Sequence, residues 1–190
     1  IGILVSKEDH CLQELLYQWK SGSLKIEITG IYSNHNLYQE LAKQVELPFY
    51  HLTYENKAVA EGKLLEVSEQ TEVLVMARFM QILSSDFLKS YQRPVVNIHH
   101  SFLPSFKGAD PYKQAFDRGV KLIGATAHFA TPDLDEGPII TQHVTPVTHR
   151  QDSSELKKMG KTLEKQCLTE AIQKICENKV LLYGKKTIVF

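Results

Sequence analysis

The strongest constraint on the fold is an alternation of short β-rich runs with amphipathic stretches. "IGILVS" opens the chain and is followed by "HCLQELLYQWKSG", whose apolar residues recur at helical spacing up to Gly22. The pairing then repeats: "LKIEITGIYS" with "LYQELAKQV", "FYHLTY" with "NKAVAEGKLLEVSEQT", "EVLVMA" with the Ser-capped "SSDFLKSY", and last the strand "PVVNIH". Gly62 sits inside the third helical stretch at a cost of about 1 kcal/mol relative to Ala, which the pattern tolerates. Strands that alternate with helices in this way form a mostly parallel sheet with helices on both faces. The C-terminal part departs from the pattern. "VKLIGATAHFAT" and "GPIITQHVTPV" read as two strands joined by the turn "PDLDEG". "SSELKKMGKTLEKQCLTEAIQKICEN" reads as one long helix capped by Ser153 or Ser154. "VLLYGKKTIVF" reads as a hairpin turning at Gly184. The expected fold class is α/β, a doubly wound, mostly parallel sheet with an antiparallel C-terminal extension.

Composition narrows the partners. A chain of 190 residues suffices for one domain with its own core, and residues 1–190 read as one. Lys plus Arg number 22 and Asp plus Glu number 22, so no global field draws the chain to nucleic acid or to an anionic membrane. No apolar run approaches a membrane span. Cys11, Cys167 and Cys176 are odd in number, lack CxxC spacing and fall in helical stretches; they read as reduced thiols of a cytoplasmic protein. The start, without Met and straight into an apolar run, reads as a cut inside a longer protein.

The residues best placed for chemistry end a strand. In open α/β sheets, ligands bind beyond the carboxyl ends of the strands. "NIHHSFLPSF" puts Asn97 and His99 there, two apart and so on one side of an extended chain. The pair can equally be a turn-capping amide and a satisfied surface imidazole. His100 points the other way and reads as structural. A second element, "HFATPDLDEGPI", brings His128, Thr131, Asp133 and Asp135 before Gly137. An acidic turn is commonplace, and its interest lies in a meeting with His99. A carboxylate beside an imidazole fixes its tautomer, the imidazole moves protons, and an amide donates to a developing oxyanion. A third element, "VMARFMQILSSDF", holds Met76, Phe79, Met80, Ile82 and Leu83. It reads partly as core and partly as the wall of an apolar pocket for a heterocycle. GxGxxG, GxxxxGK[ST], HExxH and GxSxG are all absent, so a dinucleotide, P-loop or metal site is not expected.

Together "NIHHSFLPSFKGADPY", "AHFATPDLDEGPIITQ" and "ARFMQILS" resemble the folate-dependent formyltransferase superfamily. The double His, "VSKEDHCLQELL" and the ending "NKVLLYGKKTIVF" resemble its hydrolase branch, the formyltetrahydrofolate deformylases. This resemblance covers essentially the whole chain and departs at Thr162, where an acidic residue is expected. It implies that Asn97, His99 and Asp135 are catalytic. It also implies that Met80, Gln81, Ile82, Leu83, His128, Thr131 and Asp133 bind substrate. The implied reaction is hydrolysis of 10-formyltetrahydrofolate to formate and tetrahydrofolate, feeding purine and one-carbon metabolism, with no cofactor and no metal. A cis Leu103–Pro104 bond, an N-terminal ACT regulatory domain ahead of this segment and a homo-oligomeric full-length protein are implied too. The competing readings are formyl transfer to an amine such as glycinamide ribonucleotide, and an idle folate-binding module. The first needs a Gly-rich phosphate loop after the first strand; here "SKEDHC" offers Glu8 and Asp9, which compete with a phosphate for the helix amides.

Overall fold

The structure, a computed structural model, describes residues 1–105 and 110–190. The chain divides into two compact units, one of residues 1–97 with 130–134, the other of 98–129 with 135–190. The first unit follows the strand–helix alternation. Its parallel strands are β1 (Gly2–Val5), β2 (Gly30–Ser33), β3 (Phe49–His51), β4 (Leu74–Met76) and the opening of β5 (Val95–His99). Between them run α1 (His10–Lys20), α2 (Gln39–Gln44), α3 (Lys57–Val67) and α4 (Ser85–Tyr91). β1 and β4 are buried along their whole length, as central strands covered on both faces must be. Leu4, Leu74, Met76, Phe87 and Val95 belong to one core cluster. Local chemistry sets the helix starts: the Asn56 side chain accepts from the Val59 N–H at 3.2 Å, and the Ser84 hydroxyl accepts from the Phe87 N–H at 3.0 Å.

β2 is shorter than "LKIEITGIYS" predicts. Leu24 and Ile28 are buried while Lys25 and Glu27 are exposed, so the period-two burial is present, but the regular ladder begins only at Gly30. Alternation reports which side faces the core and carries no information about backbone partners.

The second unit holds the antiparallel pair β6 (Leu122–Phe129) and β7 (Ile139–Pro146), the helices α5 (Pro111–Asp117) and α6 (Ser153–Cys176), and the hairpin of β8 (Val180–Tyr183) and β9 (Lys186–Val189), with Gly184 at φ +61° in its turn. α6 packs on β6 and β7 through Leu163, Cys167, Leu168 and Ala171. Its cap is Asp152, one residue before the predicted serines. The Asp152 carboxylate accepts from the Glu155 N–H at 2.8 Å, and the Glu155 carboxylate accepts from the Asp152 N–H at 2.9 Å. α5 begins at the end of "KGADPY": Pro111 occupies its first helical position, where a missing N–H costs nothing. Residues 107–109 of that stretch, where its Gly-containing turn is read, lie outside the described residues. The seven-stranded sheet has the order β3-β2-β1-β4-β5-β6-β7, parallel through β5 with β7 antiparallel to β6. It is the mostly parallel α/β sheet that the alternation predicts, with the antiparallel C-terminal hairpin.

Candidate active site

In the second unit β5 delivers His99 and the turn after β6 delivers Asp135. His99 is 5% exposed, and its Nδ1 lies 3.3 Å from Asp135 Oδ2. His128, 2% exposed, sits on the other side of the carboxylate with Nε2 3.7 Å from Oδ1. One carboxylate thus faces two buried imidazoles. Burial alone raises the pKa of Asp135, but His128 and then His99 more than reverse this, and the carboxyl is held well below the usual carboxylate range. An ionised Asp135 accepts from Nδ1–H of His99, which leaves Nε2 as the ring atom able to take up or give a proton. That Nε2 is buried with no hydrogen-bond partner among the described residues. A buried polar atom left unsatisfied costs about 1–3 kcal/mol, so a water or a substrate atom is expected to meet it.

The backbone is bent to make this meeting. Asp135 has φ +57°, a left-handed conformation that Asp tolerates better than most residues. The β6–β7 register slips by one residue after the Ala127–Thr141 pair, so that His128 faces Ile139 and Ile140 is bulged out of the ladder. His128 Nδ1 then donates to the Phe129 carbonyl at 2.9 Å. Beyond β5 the chain turns through Leu103–Pro104, a cis bond as the resemblance implies. Thr126, fully buried, holds this turn: its hydroxyl accepts from the Leu103 N–H at 3.0 Å and donates to the Ser101 carbonyl at 2.8 Å. Gln142 Nε2 donates to the Leu103 carbonyl at 3.0 Å and to the Thr126 hydroxyl at 3.1 Å. Neither Thr126 nor Gln142 carries a sequence signal, since Thr in a β run is ordinary. A cavity of about 390 Å³ borders Asp135, with Leu103, Pro104, Gln142, Lys185 and Lys186 in its lining.

The remaining expected site residues lie in the first unit. Asn97, half-buried, ends the ladder between β4 and β5 opposite Met76. The apolar run after β4 divides: Met76, Phe79 and Leu83 are core, whereas Met80 and Ile82 are 59% and 58% exposed and Gln81 is half-buried. The Met80 N–H donates to the Ser6 hydroxyl at 2.9 Å, which fixes the loop. The Thr131 hydroxyl donates to the Asp133 carbonyl at 2.9 Å, and Asp133 itself is exposed.

The loop after β1, where a phosphate would be sought, is occupied by its own contacts. The Ser6 hydroxyl donates to Asn34 Oδ1 at 2.7 Å besides accepting from Met80. The Tyr38 hydroxyl donates to the Lys7 carbonyl at 2.6 Å. Burial first, then the Asp9 and Glu8 carboxylates, push the Tyr38 pKa up to about 12.

Comparison with known proteins shows the family. The formyl transferase family pattern matches residues 1–172. The chain is 47% identical over its whole length to a formyltetrahydrofolate deformylase of Bacillus subtilis, of which it spans 65%, and 47% identical to a mitochondrial one of Arabidopsis thaliana, of which it spans 61%. A crystal structure of a deformylase from Pseudomonas syringae, 41% identical, superposes with a TM-score of 0.95 over all of this chain and 65% of that one. A glycinamide ribonucleotide transformylase from Symbiobacterium toebii, 26% identical, gives 0.92 over all of this chain and 92% of that one. The chain therefore spans a little under two thirds of the curated relatives named first, and it belongs to the formyl transferase family.

Proposed function

We propose that this chain hydrolyses 10-formyltetrahydrofolate to formate and tetrahydrofolate, with Asn97, His99 and Asp135 as catalytic residues and no metal or cofactor. The observation that carries the reading is the buried, unpartnered Nε2 of His99 behind an ionised Asp135. Water adds to the formyl carbon as its proton passes to Nε2 of His99, giving a tetrahedral centre whose oxyanion meets the resulting imidazolium and the Asn97 amide, and that proton is the one later given to N10. The carbon–N10 bond then breaks, a proton reaches N10, and formate leaves. Asp135 holds the imidazolium and orients the water. Met80, Gln81, Ile82, Leu83, His128, Thr131 and Asp133 bind the folate in this scheme. Transfer to glycinamide ribonucleotide shares the fold but meets a β1 loop whose serine is engaged and which carries Glu8 and Asp9; water needs no phosphate site.

The purified chain is incubated with 10-formyltetrahydrofolate without any amine acceptor, and formate and tetrahydrofolate are measured. Equal release of both, falling about 10²–10⁴-fold in His99→Ala, is the expected result. Binding of the folate by a folded chain with no release sinks the hydrolase reading and leaves the idle binding module.

A further inference from the structure

His100 and Tyr112 have no part in that scheme, yet His100 lies against His99 and Tyr112 against His100. The His100 ring centroid is 5.1 Å from that of His99, with the planes tilted by 40°, and 6.1 Å from that of Tyr112 at 49°. These separations are within the range of oriented aromatic contact. Tyr112, 6% exposed, donates its hydroxyl to Glu164 Oε1 at 2.6 Å, and Glu164 on α6 is 1% exposed. One turn earlier on the same helix stands Gly160. A Cβ there would lie 2.0 Å from both Cζ and the hydroxyl oxygen of Tyr112, a separation no non-bonded pair of heavy atoms can hold. Glycine inside a helix costs about 1 kcal/mol relative to Ala, and here it opens the helix face to the ring. Gly160 and Glu164 thus share one face of α6, one making room for Tyr112 and the other taking its hydroxyl.

We propose that Glu164, Tyr112 and His100 are positioning residues: α6 fixes Tyr112, Tyr112 backs the His100 ring, and His100 sets the plane of the His99 ring against Asp135. The double histidine thereby has two roles, one ring for the proton and one to hold it. A ring rotated off its partner loses proton-transfer geometry without losing substrate contacts, so the effect belongs in kcat. Misplacement of a reacting group by about 1 Å costs on the order of 10²-fold, and loss of one hydrogen bond three residues away should cost less.

The inference rests on the proposed role of His99, so its test reads the His99–Asp135 pair directly as well as turnover. The chain is labelled with ¹⁵N-histidine, and the His99 ring signals are assigned by their loss in His99→Gln. Tyr112→Phe keeps the ring and removes only the hydroxyl. It should shift the His99 ring signals and lower kcat by about tenfold with KM within about twofold. His100→Ala should do the same, and His100→Phe, which restores a ring, should recover part of the loss. A folded Tyr112→Phe chain with unmoved His99 signals overturns the proposal, whether kcat is unchanged or falls only in step with the folded fraction. A wild-type chain that releases no formate defeats the proposed function instead, and the ¹⁵N signals still decide this one.

Discussion

Asp135 is the residue on which the site turns, and its charge state makes a pH prediction. Its folded pKa lies below the unfolded value of about 4, so the pairing with His99 and His128 stabilises the fold above that pH and is lost as pH falls through the folded pKa. The stability gap between wild type and Asp135→Asn, measured by urea unfolding, should be widest above about pH 4 and close in stronger acid. A gap independent of pH would mean that the carboxylate is a turn residue only. The meeting of His99 with Asp135 was legible because strand-end polar residues and an acidic turn are both visible in sequence. That His128 flanks the same carboxylate was not, because spacing along the chain says nothing of a bulge. His100 reads from alternation alone as a residue facing away, and only the loop conformation after β5 brings its ring against His99 and Tyr112.

At the scale of elements, the turn after β5 hangs on one hydroxyl. Thr126→Val keeps the shape of the side chain but leaves the buried Leu103 N–H without its acceptor and removes a partner of Gln142. Thermal or urea unfolding should show a loss of about 1–3 kcal/mol, and formate release should fall with it because the same turn follows directly on His99. Stability within about 0.5 kcal/mol of wild type would show that the turn is held by other means. Most elements were legible at this scale: each strand run holds a strand, though β2, β3 and β4 are shorter than their runs, and the Ser84 cap and the Gly184 turn stand where pattern puts them. α5 was not, since a seven-residue helix is too short for its periodicity to outweigh the turn signals of Gly, Asp and Pro before it. The α6 cap was off by one because Ser153, Ser154 and Asp152 are all good caps, and only the reciprocal bond to Glu155 chooses among them.

For the molecule as a whole, fold does not decide function. Deformylase and transformylase relatives superpose on this chain almost equally well, with TM-scores of 0.95 and 0.92, so the distinction has to come from local chemistry. The β1 loop predicts that glycinamide ribonucleotide neither accepts the formyl group nor changes the rate of formate release. Assays with and without it should agree, and a formylated ribonucleotide product would reverse the assignment. The bulge at Ile140 has a further consequence, one of counting. β6 and β7 agree in phase up to Ala127 and differ by one residue beyond it, and the turn bearing Asp135 is closed by the shifted pair. A chain lacking that single isoleucine would keep every side chain proposed for catalysis and a more regular ladder, yet His128 and Asp135 would stand out of step. What the site requires is therefore a length as well as a set of residues.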